Sequence, residues 1–110
     1  MMTKLTKDVR SLVIQELGLA RQDHGDYFHS AHEGYGVLME ELEEAFEEGG
    51  AVKGYSKPIL QSIRMEDKPL LINWLELIEK HAALAACEYI QVAAMATKMR
   101  ESIEKESKDV

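Results

Sequence analysis

KPLLINWLELIEKHAALAACEYIQVAAMATKMRESIEK, residues 68–105, decides the fold. Leu71, Leu75, Ile78, Ala82, Ala85, Tyr89, Val92, Ala96, Met99 and Ile103 follow one another in steps of four and three. That alternation keeps an apolar seam on one side of a helix and marks helices packed nearly parallel or antiparallel. Pro69 falls in the first turn, where its missing N–H leaves no helical bond unmade. Seven alanines between Ala82 and Ala96 allow a close approach of neighbouring helices. Unbroken, the stretch is roughly 55 Å long at about 1.5 Å per residue, nearly twice the width of a small domain. Two solutions are open: a break between Lys80 and Ala86, or a helix that extends into an oligomer.

Upstream, the spacing predicts two further helices. One runs from Thr6 to Ala20, where Val9, Leu12, Val13, Glu16 and Leu17 keep helical spacing. The other runs from Ala31 to Glu48. Ser30-Ala31-His32-Glu33 has the capping-box pattern, and Gly49-Gly50 provides a stop. Tyr35, Leu38, Leu42, Ala45 and Phe46 mark its buried stripe. Residues 49–67 form a long connection with breaks at Gly54–Pro58 and a short helix at Ile59–Met65. No segment alternates as a strand does, and no repeat is visible. The expected fold is one all-α helical bundle over residues 1–110. Only the charged C-terminal residues read as disordered.

The chain has 110 residues, a net charge of −7 and one cysteine. Its length suits one domain that buries only roughly two-thirds of its unfolded surface, which favours an oligomer. Cys87 alone cannot form an intrachain disulfide. No apolar run reaches the ~18 residues of a membrane span, and MMTKLTKDVR has no signal-peptide core. A cytoplasmic location follows as the expectation. The acidic balance argues against binding a nucleic-acid polymer, which needs clustered Lys and Arg. Residues 33–48 hold seven acids and no base, and the rest of the chain holds 13 acids and 13 bases. The whole net charge therefore lies in one helix.

Some of those acids stand where acids need a reason. Glu41 and Glu44 are i, i+3 neighbours at the edge of the apolar stripe, and no base follows at i+4. Leu84, Glu88, Gln91 and Met95 form a stripe beside the apolar seam, so Glu88 also lies among apolar neighbours. A divalent cation held by Glu41, Glu44 and Glu88 would relieve the repulsion, and Mg²⁺ prefers such oxygen donors. A solvated acidic face is the alternative.

Two blocks carry a resemblance. HSAHEGYGVLMEELEEAFEE (29–48) and EYIQVAAMATKMR (88–100) resemble the MazG-like proteins of bacteria and their phages, within the all-α nucleoside triphosphate pyrophosphohydrolase superfamily. The resemblance implies an EExxE motif at Glu40, Glu41 and Glu44, and an ExxD motif beginning at Glu88. Gln91 stands in place of the final aspartate; its carbonyl can ligate a hard cation but brings no charge. The spacing from Glu44 to Glu88 is longer than usual for the family. The resemblance further implies Mg²⁺, or Mn²⁺, bound by Glu41, Glu44, Glu88 and Gln91. Glu40 or Glu41 would activate water. The substrate would be a nucleoside triphosphate, cleaved to monophosphate and pyrophosphate by a homodimer or homotetramer. Lys98 and Arg100 can meet phosphate, or else complement the dipole of a solvated helix end.

The remaining chemistry-bearing residues have plainer expectations. His24, His29 and His32 lack the i, i+4 spacing within a helix that marks a transition-metal site. His81 is expected as a half-buried polar neighbour, Cys87 as a packed core residue, and Trp74 at the edge of the seam. Trp74 and Tyr55 are also candidates for stacking a base. GYSKP lacks phosphate-loop spacing. The competing function class is a non-catalytic helical module that binds nucleotide, metal or a protein partner.

Overall fold

One helix of 41 residues, Lys68–Lys108 (α4), is the spine of the molecule. The computed structural model describes residues 3–108. Upstream of α4 come α1 (Lys4–His24), α2 (Ala31–Ser56) and the short α3 (Ile59–Arg64). The described residues contain no strand, so the all-α expectation holds. Among them no helix is long and apolar enough to cross a membrane.

α2 lies antiparallel along α4. Gly34 packs on Met99 near one end, Glu48 meets His81 further along, and Tyr55 stacks on Trp74 at the other end. Gly34 is required by this approach, because a Cβ there would lie 2.9 Å from Met99 Cγ and 3.1 Å from the Phe28 ring. α1 runs in the same direction as α4 and covers its C-terminal half. Glu16 meets Gln91, and Arg21 pairs with Glu101. Leu17, Phe28, Ala94 and Met95 form the core there, with Val13, Ala20, Val37, Leu38 and Met99 packed around it.

Local chemistry sets the helix ends. Thr3 Oγ1 accepts from the Thr6 N–H, Ser30 Oγ from the Glu33 N–H, and Asp67 Oδ1 from the Leu70 N–H. Each satisfies an orphan donor of a first turn. Gly25 closes α1 at φ +89°, a conformation that disfavours side chains with a Cβ. The Phe28 N–H donates to the buried Ser102 Oγ at 2.9 Å, which pins the α1–α2 connection onto α4.

Several expectations are corrected. α2 does not stop at Gly49-Gly50; it continues to Ser56, in the Gly54–Pro58 break. Glycine costs about 1 kcal/mol in a helix interior, but contacts from Glu48 to His81 and Tyr55 to Trp74 hold α2 against α4 on both sides of the pair. α4 does not break between Lys80 and Ala86, where alanine favours helix continuation. α1 is longer than its apolar stripe at both ends, and the charged tail is helical to Lys108. Tyr35 and Phe46 are exposed, because α2 presents Gly34, Leu38 and Ala45 to its neighbours instead. Cys87 is exposed as well. The result is elongated, 66 × 30 × 26 Å, with a radius of gyration of 18.6 Å. A compact chain of this length has about 13 Å.

Candidate functional site

The antiparallel register of α2 and α4 brings three acids together. Glu41 and Glu44 project from one side of α2, and Glu88 of α4 faces them. One carboxylate oxygen from each lies within 4.8 Å of the others. Among the described residues this is the one convergent set of three or more His, Cys, Asp or Glu ligand atoms. Glu41 and Glu88 are half-buried and Glu44 is exposed.

The cluster resists full ionisation. Partial burial raises the Glu41 carboxyl above the usual carboxylate range, and Glu44, Glu88 and Glu40 push it further. Burial also raises Glu88, followed by its hydrogen bond with Glu44 and by the charges of Glu44 and Glu48. Among the described residues no Lys or Arg forms an ion pair with any of the three. A divalent cation is the chemistry that suits such a set. Around Mg²⁺, oxygens sit about 2.1 Å from the ion, hence roughly 3 to 4 Å from one another. The three oxygens already lie within 4.8 Å of one another. The donor set therefore fits a hard cation, Mg²⁺ or Mn²⁺.

Glu41 also lines a cleft of about 610 Å³ between α1, α2 and the C-terminal half of α4. Its floor is apolar, from Leu19, Ala20, Phe28, Val37 and Met95. Glu16, Glu33, Glu40 and Gln91 surround the floor, and Lys98 forms part of the wall. Lys98 is 2% exposed, and its ammonium lies 4.4 Å from the Phe28 ring centroid. It makes no ion pair among the described residues. A cation buried against an aromatic face and open only to a cleft is poised for an anion.

The candidate residues separate into groups. Glu41, Glu44 and Glu88 come together, and Glu40, Glu41, Gln91 and Lys98 share the cleft. Arg100 belongs to neither. It is exposed, bonds Glu104 at 2.8 Å and lines a different groove, so it is a solvated helix-end residue. Tyr55 and Trp74 stack on each other at 6.1 Å beside His81 and do not line the cleft. His81 is half-buried and bonds Glu48 at 2.6 Å, as a polar neighbour should. Of the histidines near α2, only His24 reaches the cleft.

Glu16 is a cleft residue that the motifs do not announce. Its carboxylate accepts from the Gln91 amide at 2.8 Å. The available signal was a charge set between Val13, Leu17 and Ala20 on an apolar stripe. Comparison with protein-family models, with curated proteins and with solved structures finds no match.

Proposed function

We propose that the chain is a Mg²⁺-dependent nucleoside triphosphate pyrophosphohydrolase of MazG-like type. One observation carries the reading: three carboxylates converge from antiparallel helices, and one of them, Glu41, also lines a cleft whose wall holds a buried lysine with no ion pair among the described residues. The acids suit the cation of a metal–nucleotide complex, and the lysine suits its phosphates. The cleft volume lies within the roughly 300–1,000 Å³ typical of small-molecule sites.

Glu41, Glu44 and Glu88 would hold Mg²⁺ or Mn²⁺. The Gln91 carbonyl is the remaining candidate donor, since its amide is engaged with Glu16. When bound, the cation supplies charge neutralisation for the triphosphate and for the leaving pyrophosphate. Glu40 or Glu41 takes the proton of the attacking water. The water oxygen bonds to phosphorus as the bridging P–O bond breaks. Lys98 orients phosphate from the wall. The apolar floor takes the sugar or base.

Gln91 favours a second reading, a helical module that keeps the fold and binds nucleotide or metal without turnover. It supplies no negative charge, and its amide is spent on Glu16. The deciding assay incubates the protein with nucleoside and deoxynucleoside triphosphates plus Mg²⁺ and measures pyrophosphate. Release that disappears in Glu41→Gln and Glu88→Gln supports the enzyme. A folded protein that releases none from any nucleotide supports the module.

A further inference from the structure

Glu16 is a half-buried acid whose partner is a neutral group. It stands on α1 among Val13, Leu17 and Ala20, and Leu17 beside it belongs to the core. Its carboxylate accepts from Gln91 Nε2 at 2.8 Å, and among the described residues it forms no ion pair. A half-buried carboxylate gains most from Lys or Arg, whose bond also offsets its charge. Arg21, further along α1, pairs with Glu101 instead. The Gln91 amide satisfies a carboxylate oxygen but leaves the negative charge standing.

Gln91 in turn is the i+3 neighbour of Glu88 on α4, so the two side chains leave one side of that helix with Cβ atoms about 5–6 Å apart. Glu16, Gln91 and Glu41 line one cleft. A glutamine amide has an acceptor end and a donor end, and a free one turns over to offer either. A carboxylate only accepts, so it takes the donor end and leaves the oxygen as the free one.

We propose that Glu16 is a positioning residue for the cation site: it fixes Gln91 so that the amide offers its oxygen, not its NH₂, beside the acidic triad. The inference rests on the metal reading above and extends it to α1, a helix that carries none of the acids of either motif. Two effects act together. The first is orientation, because a hard cation takes the amide oxygen and is repelled by the NH₂ end. The second is polarisation. A negative charge at the N–H end draws electron density onto the carbonyl oxygen, as a carboxylate behind a metal-bound histidine raises the basicity of that ligand. The Glu16–Gln91 pair thus brings an oxygen from α4 and, one amide away, a negative charge from α1. The core position of Leu17 and the Arg21–Glu101 pair hold α1 in place for this.

Mn²⁺ titrated into the full chain without nucleotide, with the free ion read by electron paramagnetic resonance, tests this. Wild type should bind, and Glu88→Gln should bind far more weakly, as the metal reading requires. Glu16→Gln keeps an acceptor facing Gln91 but loses the charge and the one-way preference. Its affinity should fall roughly tenfold or more, the usual cost of removing a group that orients a metal ligand. Gln91→Leu should fall by a similar factor. The double variant Glu16→Gln/Gln91→Leu should bind no more weakly than Gln91→Leu alone, because Glu16 acts through Gln91. Helical circular dichroism checks that each variant is folded. Wild-type affinity in folded Glu16→Gln or Gln91→Leu overturns the proposal and leaves the triad standing; Gln91→Leu decides alone should Glu16→Gln unfold. Losses that multiply in the double variant overturn it too, since Glu16 would then act without Gln91. A wild type that binds no Mn²⁺, or a Glu88→Gln variant that binds it as tightly, overturns the metal reading and this inference with it.

Discussion

The Gln91 amide of α4 donates to the Glu16 carboxylate of α1 at 2.8 Å, one turn beyond the acidic triad on α4. The bond ties α1 to α4 beside the triad and fixes the Gln91 side chain with its amide towards Glu16. A carboxylate at 91 would face Glu16 with like charge. Gln91→Glu should therefore destabilise the metal-free protein by about 1 kcal/mol, the scale of a half-exposed hydrogen bond to a charged group. Thermal melts check this. The swapped double variant Glu16→Gln/Gln91→Glu restores a donor facing an acceptor and should recover the loss.

The triad makes metal and pH effects predictable together. Glu41 and Glu88 bind protons more tightly in the folded chain than in the unfolded one. Between the ordinary carboxylate value and the raised folded values, the native state holds the extra proton. Stability therefore falls as pH rises through that window, and it recovers on acidification from neutrality towards the ordinary value of 4.5. Melts without metal from pH 7 to pH 5 should show this slope, and Glu41→Gln should flatten it. Mg²⁺ or Mn²⁺ at neutral pH should raise the melting temperature, by about 2.7 kcal/mol of stability at a hundred times the dissociation constant. Glu88→Gln should abolish most of that gain. An unchanged melting temperature in millimolar metal would remove the cation from the site.

Glycine positions separate packing from propensity. A Cβ at Gly34 would collide with Met99 Cγ at 2.9 Å, whereas Gly36 has nothing within 4 Å. Both lie in α2, and alanine is favoured over glycine in a helix by about 1 kcal/mol. Gly36→Ala should therefore stabilise by up to about that amount. Gly34→Ala should destabilise by about 1 kcal/mol, since overpacking at roughly 1–3 kcal/mol outweighs the propensity gain. Denaturant midpoints of the two variants should move in opposite directions.

Helical spacing and the acidic pattern were legible in the sequence because both are local. Periodicity marked α1, α2 and α4, and i, i+3 placement put Glu41 and Glu44 on one side of a helix. The two glycines at 49 and 50 misled because local propensity favours a stop, while contacts made by Glu48 and Tyr55 with α4 decide otherwise. The seam misled differently. It is a true seven-residue repeat, yet only half of it meets α2, and no local rule says which half stays outside. The buried side of α4 beyond Gln91 includes Lys98 and Ser102, polar residues that hydropathy assigns to solvent. Their burial depends on Phe28, which the α1–α2 connection carries onto α4.

Lys98 is where fold and chemistry pull apart, so its substitution is informative. Its ammonium is buried against Phe28 without a carboxylate partner, so its charge contributes little net stability. The cation–π contact is worth about 0.5–2 kcal/mol, and desolvating the ammonium offsets it. Lys98→Met keeps the stem and removes the charge, so the melting temperature should stay within about 1 kcal/mol of wild type or rise. Binding of a triphosphate should weaken at least tenfold, a loss of about 1.4 kcal/mol from one phosphate contact. Calorimetric titration with a non-hydrolysable triphosphate in Mg²⁺ measures this directly. Arg100→Met should change neither quantity by more than a few tenths of a kcal/mol, because its exposed pair with Glu104 lies outside the cleft. Equal affinity of wild type and Lys98→Met would show that the lysine is a packing residue and that phosphate binds elsewhere.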